Sequence, residues 1–384
     1  HYPLLRDNAA EVLSRLRPPH VIKELLDQLT DNDDGVRRAA AQTLGLIGGP
    51  DVLPPLIMLF VKEKEVRIRC DAAAALGHIA GHEAIAPLQH ALEADDSYEI
   101  RRCAAMALGT TGSMEVLQPL LKALKQDKDY RVRASAGEAL GELKQRATVP
   151  QLVNVLETEK SQSVRWRIVI ALGKTGGDEA REVLIRTLAE DMDRDVRNSA
   201  AEALGFIGGP ESIKRLIETV QADDEPEVRG YSAFSLGQIG SEEAMPVLIE
   251  ALITDESLEV RGRAAFALGR IKKMDALPYL TAVFNSYQDS FIRGNATYAV
   301  GEIAGAEAIP FLIQALLLDK DPYVRFGAGD VLGDVGNTLT IPHLQTALKD
   351  TGTYFGWKVS DKAFEALDKI SHRFQVIIFK GNPK

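Results

Sequence analysis

Pro246-Val247-Leu248-Ile249-Glu250-Ala251-Leu252, then Asp255-Glu256-Ser257, then Val260-Arg261-Gly262-Arg263-Ala264-Ala265-Phe266-Ala267-Leu268-Gly269: this stretch decides the fold. Its first part carries apolar residues at helical spacing, with a proline in the tolerated first turn. Its last part sets Val260, Ala264, Leu268 and Ile271 on one line, at i, i+4, i+8 and i+11, the buried face of a second helix. The polar segment between them is a turn. Alanine at the crossing positions lets neighbouring helices approach to about 8–10 Å. The stretch reads as helix A, turn, helix B.

The pattern recurs. Every thirty-second residue from Gly45 to Gly333 is glycine and every thirty-second residue from Arg37 to Arg325 is arginine, ten matches in each register. A fixed period of this size means a stack of like units, each touching only its neighbours. The expected architecture is an all-α solenoid with ten regular helix pairs over residues 18–337. Residues 1–17 read as an N-terminal cap helix, and residues 338–384 as a distorted eleventh repeat and C-terminal cap. There Trp357 stands in the arginine position and a last helix is expected over Lys358–Ile370. Phe374–Phe379 is the one stretch that suggests a strand.

Glycine near the end of helix B, often followed by a Gly-Gly pair such as Gly48-Gly49, reads as the left-handed residue that stops a helix. That placement argues against a phosphate cradle, which follows a strand. Six residues before each arginine stands an acid: Asp31, Glu63, Asp95, Asp127, Glu159, Asp191, Asp223, Asp255 and Asp319. Repeat nine has Tyr287 there. The spacing predicts an arginine–carboxylate ladder along the stack, with Arg293 as its weak rung. So many equivalent carboxylates form a structural series, since a general acid or base is one special residue.

The net charge of −10 leans away from nucleic acid. Cys70 and Cys103 lie in different repeats and read as two structural thiols in a reducing, cytoplasmic setting. Cys70 and His78 are about 12 Å apart along one helix, too far to share a metal. His82-Glu83 reads as a surface loop before helix A of repeat three. No apolar run approaches the roughly 20 residues of a membrane span. The chain opens on His1 without a methionine, as an excerpt or a processed form would. Nothing resembles a nucleophile elbow, a phosphate loop or a paired zinc motif, so the reading is non-enzymatic and without cofactor.

Four helix B positions avoid the buried line: the two after the arginine, the one after the Ala-Ala pair and the one after the glycine. From repeat five onward these carry Trp166, Ile170, Phe206, Tyr231, Phe234, Phe266, Tyr298 and Phe326, with Phe291 and Tyr323 just before helix B. Gly230/Phe234, Gly262/Phe266 and Gly294/Tyr298 repeat in register. A helical glycine costs about 0.8–1.0 kcal/mol against alanine. Bearing that cost three times beside a row of rings suggests a trough with an aromatic wall, flanked by Arg263 and Arg270.

The pattern Val-Arg-x-x-Ala-Ala-x-Ala-Leu-Gly-x-Ile-Gly, followed by a proline-initiated Leu-x-x-Ala-Leu helix, resembles the HEAT-like repeats named after phycobilisome lyases. Ala347–Ile370, with Thr351-Gly352-Thr353, resembles the C-terminal cap of archaeal members. The resemblance implies a right-handed superhelix with helix B on the concave face. It implies protein binding in most members, and bilin attachment or iron chemistry in some. The functional expectation is a non-catalytic scaffold holding a protein helix or peptide in the concave groove of repeats five to ten. The alternative is a bilin lyase or chromophore-chaperone subunit binding a linear tetrapyrrole.

Overall fold

The computed structural model of the chain describes residue 12 and residues 15–286 and 289–377. The expected cap helix over residues 1–17 and the position of Tyr287 therefore lie largely outside the described residues. The chain divides into two compact units, His1–Leu184 and Ile185–Lys384, the division falling within the helix Asp178–Glu190.

In the first unit, helices A and B of repeat one are Pro19–Gln28 and Asp34–Ile47, and those of repeat two Leu53–Lys62 and Val66–Ile79. Repeat three has His82–Ala94 and Tyr98–Thr110, repeat four Leu117–Gln126 and Tyr130–Leu143, and repeat five Val149–Thr158 and Gln162–Thr175. His82 and Glu83 thus open helix A of repeat three and do not sit in a loop. In the second unit, helices B are Arg194–Ile207, Pro226–Ile239, Leu258–Ile271, Ser290–Ala304 and Pro322–Val335, for repeats six to ten. Repeat eleven replaces the turn with a two-stranded antiparallel hairpin, Thr353–Tyr354 against Trp357–Lys358, and ends on the helix Val359–Phe374. The strand expected over Phe374–Phe379 is not found in its described part: Phe374 closes that helix.

Local chemistry sets the boundaries. An aspartate accepts from the backbone at the start of several helices B: Asp33 from Val36, Asp193 from Asp195 and Val196, Asp321 from Tyr323. Such caps satisfy orphan N–H groups of the first turn. Proline opens helices A at Pro150, Pro246 and Pro310, where its missing N–H costs nothing. The predicted buried line holds, with Val260, Ala264 and Leu268 sealed from solvent and Ile271 nearly so.

The periodic glycine is not the helix stop. It lies inside helix B, at the crossing with the next helix B. A Cβ on Gly109 would come 2.7 Å from Ala139 Cβ, and one on Gly237 only 2.5 Å from Ala267 Cα. Glycine there is demanded by backbone approach. The stop lies further on, at Gly176 (φ +70°) and Gly208 (φ +67°), and Lys144 and Lys272 take the same left-handed region without glycine. Within each unit, helices B of successive repeats pack far more closely than helices A do, so the B side is the tighter side.

Candidate functional site

The recurring arginine binds two repeats at once. Arg101 Nη1 donates to the Asp95 carbonyl at 2.9 Å, in its own turn. Its Nε and Nη2 donate to Asp127 at 2.8 and 3.0 Å, in the turn of the next repeat. Asp127 Oδ1 also accepts from Asp129 N at 2.8 Å, which fixes that turn. The same arrangement joins Arg133 to Glu159, Arg197 to Asp223 and Arg229 to Asp255, and Arg293 meets the Asp319 carboxylate through the same two nitrogens. The acid six residues before the arginine therefore offers its carbonyl, and the carboxylate comes from 26 residues after it. This corrects the sequence expectation for Arg293, whose partner Asp319 is present and as buried as any. Arg325 closes the series on Asp350, 25 residues on.

Helix B positions off the buried line grade from open to half-buried. The residue after the glycine is exposed in every repeat, from Leu46 and His78 to Arg270 and Asp334. The residue after the Ala-Ala pair is half-buried in repeats seven to ten, where it is Phe234, Phe266, Tyr298 and Asp330. Positions just after the arginine form rungs between repeats, at a separation of 33. Arg38 Nε meets Asp71 at 2.5 Å, and Cys70 is bonded to Cys103. A Cβ on Gly230 would lie 3.0 Å from the Arg263 stem.

The Cys70–Cys103 disulfide overturns the reading of two separate thiols. It also removes the ground on which a reducing compartment was expected. Its signal was present in the sequence as a separation of 33, one more than the repeat.

The structure places Trp166 and Ile170 in the first unit and the other ten candidate residues in the second. Trp166 is half-buried beneath Arg167, whose guanidinium lies 4.5 Å from the ring and 2.7 Å from Glu138. Phe206 is 69% exposed and has no ring neighbour among the described residues. Between repeats seven and eight the rings join. Arg263 lies over Tyr231 at 4.1 Å while bonded to Glu259, and Phe234 stacks on Phe266 with centroids 5.4 Å apart. Arg270 is exposed.

The helical glycines have a different purpose from the one their spacing suggested. Each seats a side chain of the following repeat and not the ring one turn on in its own helix. A Cβ on Gly262 would overlap the Phe291 ring, and one on Gly294 the Tyr323 ring. Gly327 works in the reverse sense, receiving Tyr298 at 2.8 Å from its virtual Cβ. Tyr298 donates to Asp330 at 3.1 Å; its burial, together with that carboxylate, pushes the phenol well above its ordinary range. Burial, with Tyr354 adding to it, pushes Tyr323 up to about 12. Both stay neutral as packing groups, and Tyr298 is also a hydrogen-bond donor.

Sequence reasoning missed the end of this row. Tyr354 packs on Tyr323 at 4.6 Å and on Phe326 at 5.9 Å, and Lys362 lies 5.4 Å from the Phe326 ring. Beyond it the hairpin turn presents Phe355, 88% exposed, and Trp357, 62% exposed. The Phe355-Gly356 turn has positive φ at both residues, so the hairpin signal was there, hidden by a phenylalanine in a position that favours Asn or Asp.

A family model described as HEAT repeats matches residues 2–76, 62–141, 117–205, 149–230, 213–301 and 288–355. The chain belongs to the HEAT-repeat family. Among solved structures of the same fold, this HEAT-repeat chain is similar to Kap95p bound to RanGDP, at 15% identity and a TM-score of 0.60, over 91% of this chain and 55% of Kap95p. It is similar to Kap121p bound to Ste12p at 15% identity and a TM-score of 0.56, over 92% of this chain and 45% of Kap121p. The CpcE–CpcF phycocyanin lyase complex of Nostoc sp. PCC7120 matches at 20% identity and a TM-score of 0.35, over 74% of this chain and 93% of that one. A comparison with curated protein sequences gave no match.

Proposed function

We propose that this HEAT-repeat chain is a non-catalytic scaffold that takes a protein partner, a helix or an extended peptide, along the helix B row of repeats seven to ten. One observation carries the reading: half-buried rings recur in four successive repeats and the terminal hairpin, with Phe234 stacked on Phe266, and Tyr323 and Phe326 packed on Tyr354. Their outer edges remain open. Aromatic anchors of this kind suit the helix-in-groove mode, in which apolar side chains at helical spacing enter pockets between rings. The exposed Arg270 beside Phe266 offers a contact for an acidic group on the partner. That two proteins of this fold were solved with protein partners, RanGDP and Ste12p, agrees with the reading.

The test compares the wild-type chain with the Phe234→Ala/Phe266→Ala/Tyr298→Ala variant. Proteins retained from the source lysate by the wild type would be identified, and affinity for each measured by calorimetry. Loss of binding by the variant, with its circular dichroism unchanged, supports the assignment. Equal affinity of a folded variant removes it.

A further inference from the structure

Cys70 and Cys103 occupy a rung that elsewhere is non-covalent. The rung before it, between repeats one and two, is the Arg38–Asp71 ion pair, and the equivalent position in the second unit is the Arg263 stem against Gly230. The disulfide joins helices B of repeats two and three and closes a loop that contains all of helix A of repeat three, His82–Ala94. Repeat stacks hold together through nearest-neighbour interfaces alone, so one covalent seam changes the coupling of two units and leaves distant ones untouched. Both cysteines are half-buried on the open side of helix B, within reach of a small thiol. Arg102 Nη2 stands 3.7 Å from Cys103 Sγ, a positive charge beside the sulfur that would leave as thiolate.

We propose that the Cys70–Cys103 bond is a redox-operated clasp between repeats two and three. Oxidised, it makes the two repeats open as one body. Reduced, it leaves two small thiols where the preceding rung has an ion pair, and repeat three opens independently. The reductant is a dithiol. One of its thiolates attacks a sulfur of the bond and forms a mixed disulfide; its second thiol then displaces that sulfur. Two electrons pass to the protein, Cys70 and Cys103 are released as thiols, and the reductant leaves as a cyclic disulfide.

Hydrogen exchange of the full chain, read by mass spectrometry before and after treatment with dithiothreitol, tests this. Non-reducing digestion first establishes whether the peptides holding Cys70 and Cys103 are linked. On reduction, amides between them should exchange faster by about 30-fold or more, the lower end of what a cross-link of this loop size contributes. Amides of Tyr130–Leu143, in repeat four, serve as the internal control and should change far less. The Cys70→Ser/Cys103→Ser variant should exchange at the reduced rate whether or not dithiothreitol is present. Absence of the linked peptide overturns the proposal. So does an exchange profile of the wild type that reduction leaves unchanged, a comparison that needs no variant.

Discussion

Arg293 donates from Nε and Nη2 to the two carboxylate oxygens of Asp319, at 2.8 and 2.9 Å, across the seam between repeats nine and ten. Both side chains are buried, at 6% and 5% exposure. Removing one partner of a buried pair strands the other charge, at a cost of about 3–5 kcal/mol. Arg293→Ala should therefore destabilise the second unit as much as Arg229→Ala, whose partner Asp255 is equally buried. Lys122→Ala breaks an exposed pair with Glu93 and should shift stability by less than about 0.5 kcal/mol. Guanidinium denaturation of the three variants ranks them, and an Arg293 variant as mild as the Lys122 one would contradict the ladder.

Gly262→Ala should destabilise, although alanine is the better helix former by about 0.8–1.0 kcal/mol. Its Cβ would enter the space filled by Phe291, and overpacking costs roughly 1–3 kcal/mol. On a Phe291→Ala background the same substitution should turn stabilising. A double-mutant cycle measures the sign change; simple additivity would mean that Phe291 does not rest on Gly262.

Two glycines separate close approach from open space. A Cβ on Gly237 meets the Ala267 backbone at 2.5 Å, which only movement of the whole helix can relieve. A Cβ on Gly137 finds its nearest neighbour at 3.5 Å, ordinary contact with a Leu124 methyl group. Gly237→Ala should lower the melting temperature sharply, and Gly137→Ala should raise stability by about 0.5–1 kcal/mol. The order of the two melting temperatures decides the point.

Acid should loosen the turns before the neutral core responds. The Arg131 side chain, hydrogen-bonded to Asp129, draws that carboxyl from its ordinary 3.8 down to about 2, against the opposing effect of burial. Arg325 lowers Asp350 in the same direction. A depressed folded value means that the stabilisation is complete above 3.8 and is lost as pH falls through about 2. Asp129→Asn keeps a helix cap and removes the charge. Melting temperatures measured from pH 5 down to pH 2 (roughly the window of these shifts) should fall less steeply for the variant than for the wild type. Parallel slopes would show that this carboxylate does not report the loss.

The helices and their buried line were legible in the sequence because the 32-residue spacing and the 3.6-residue spacing act on the same residues, as Val260, Ala264 and Leu268 illustrate. Partners across a seam were not. In a chain of period 32, a residue six before one arginine is also 26 after the previous one, so Asp223 serves Arg229 and Arg197 equally well on paper. Only the fold assigns its carbonyl side to one and its carboxylate to the other. The same ambiguity hid the seat of Phe291, which belongs to Gly262 in the repeat before. Tyr354 was out of reach for a different reason: the cap breaks the period, and its place beside Tyr323 follows from a hairpin with no counterpart in the repeats.

Because Arg101, Arg133, Arg197, Arg229 and Arg293 are each answered by an acid one period less six residues downstream, the joins they make are the same join. Excising or duplicating one block of 32 residues would hand a guanidinium to a waiting carboxylate at the new junction, with no accompanying change elsewhere. Chains of this kind can lengthen or shorten by whole steps in a single genetic event, and reach can evolve apart from the chemistry displayed on any one step.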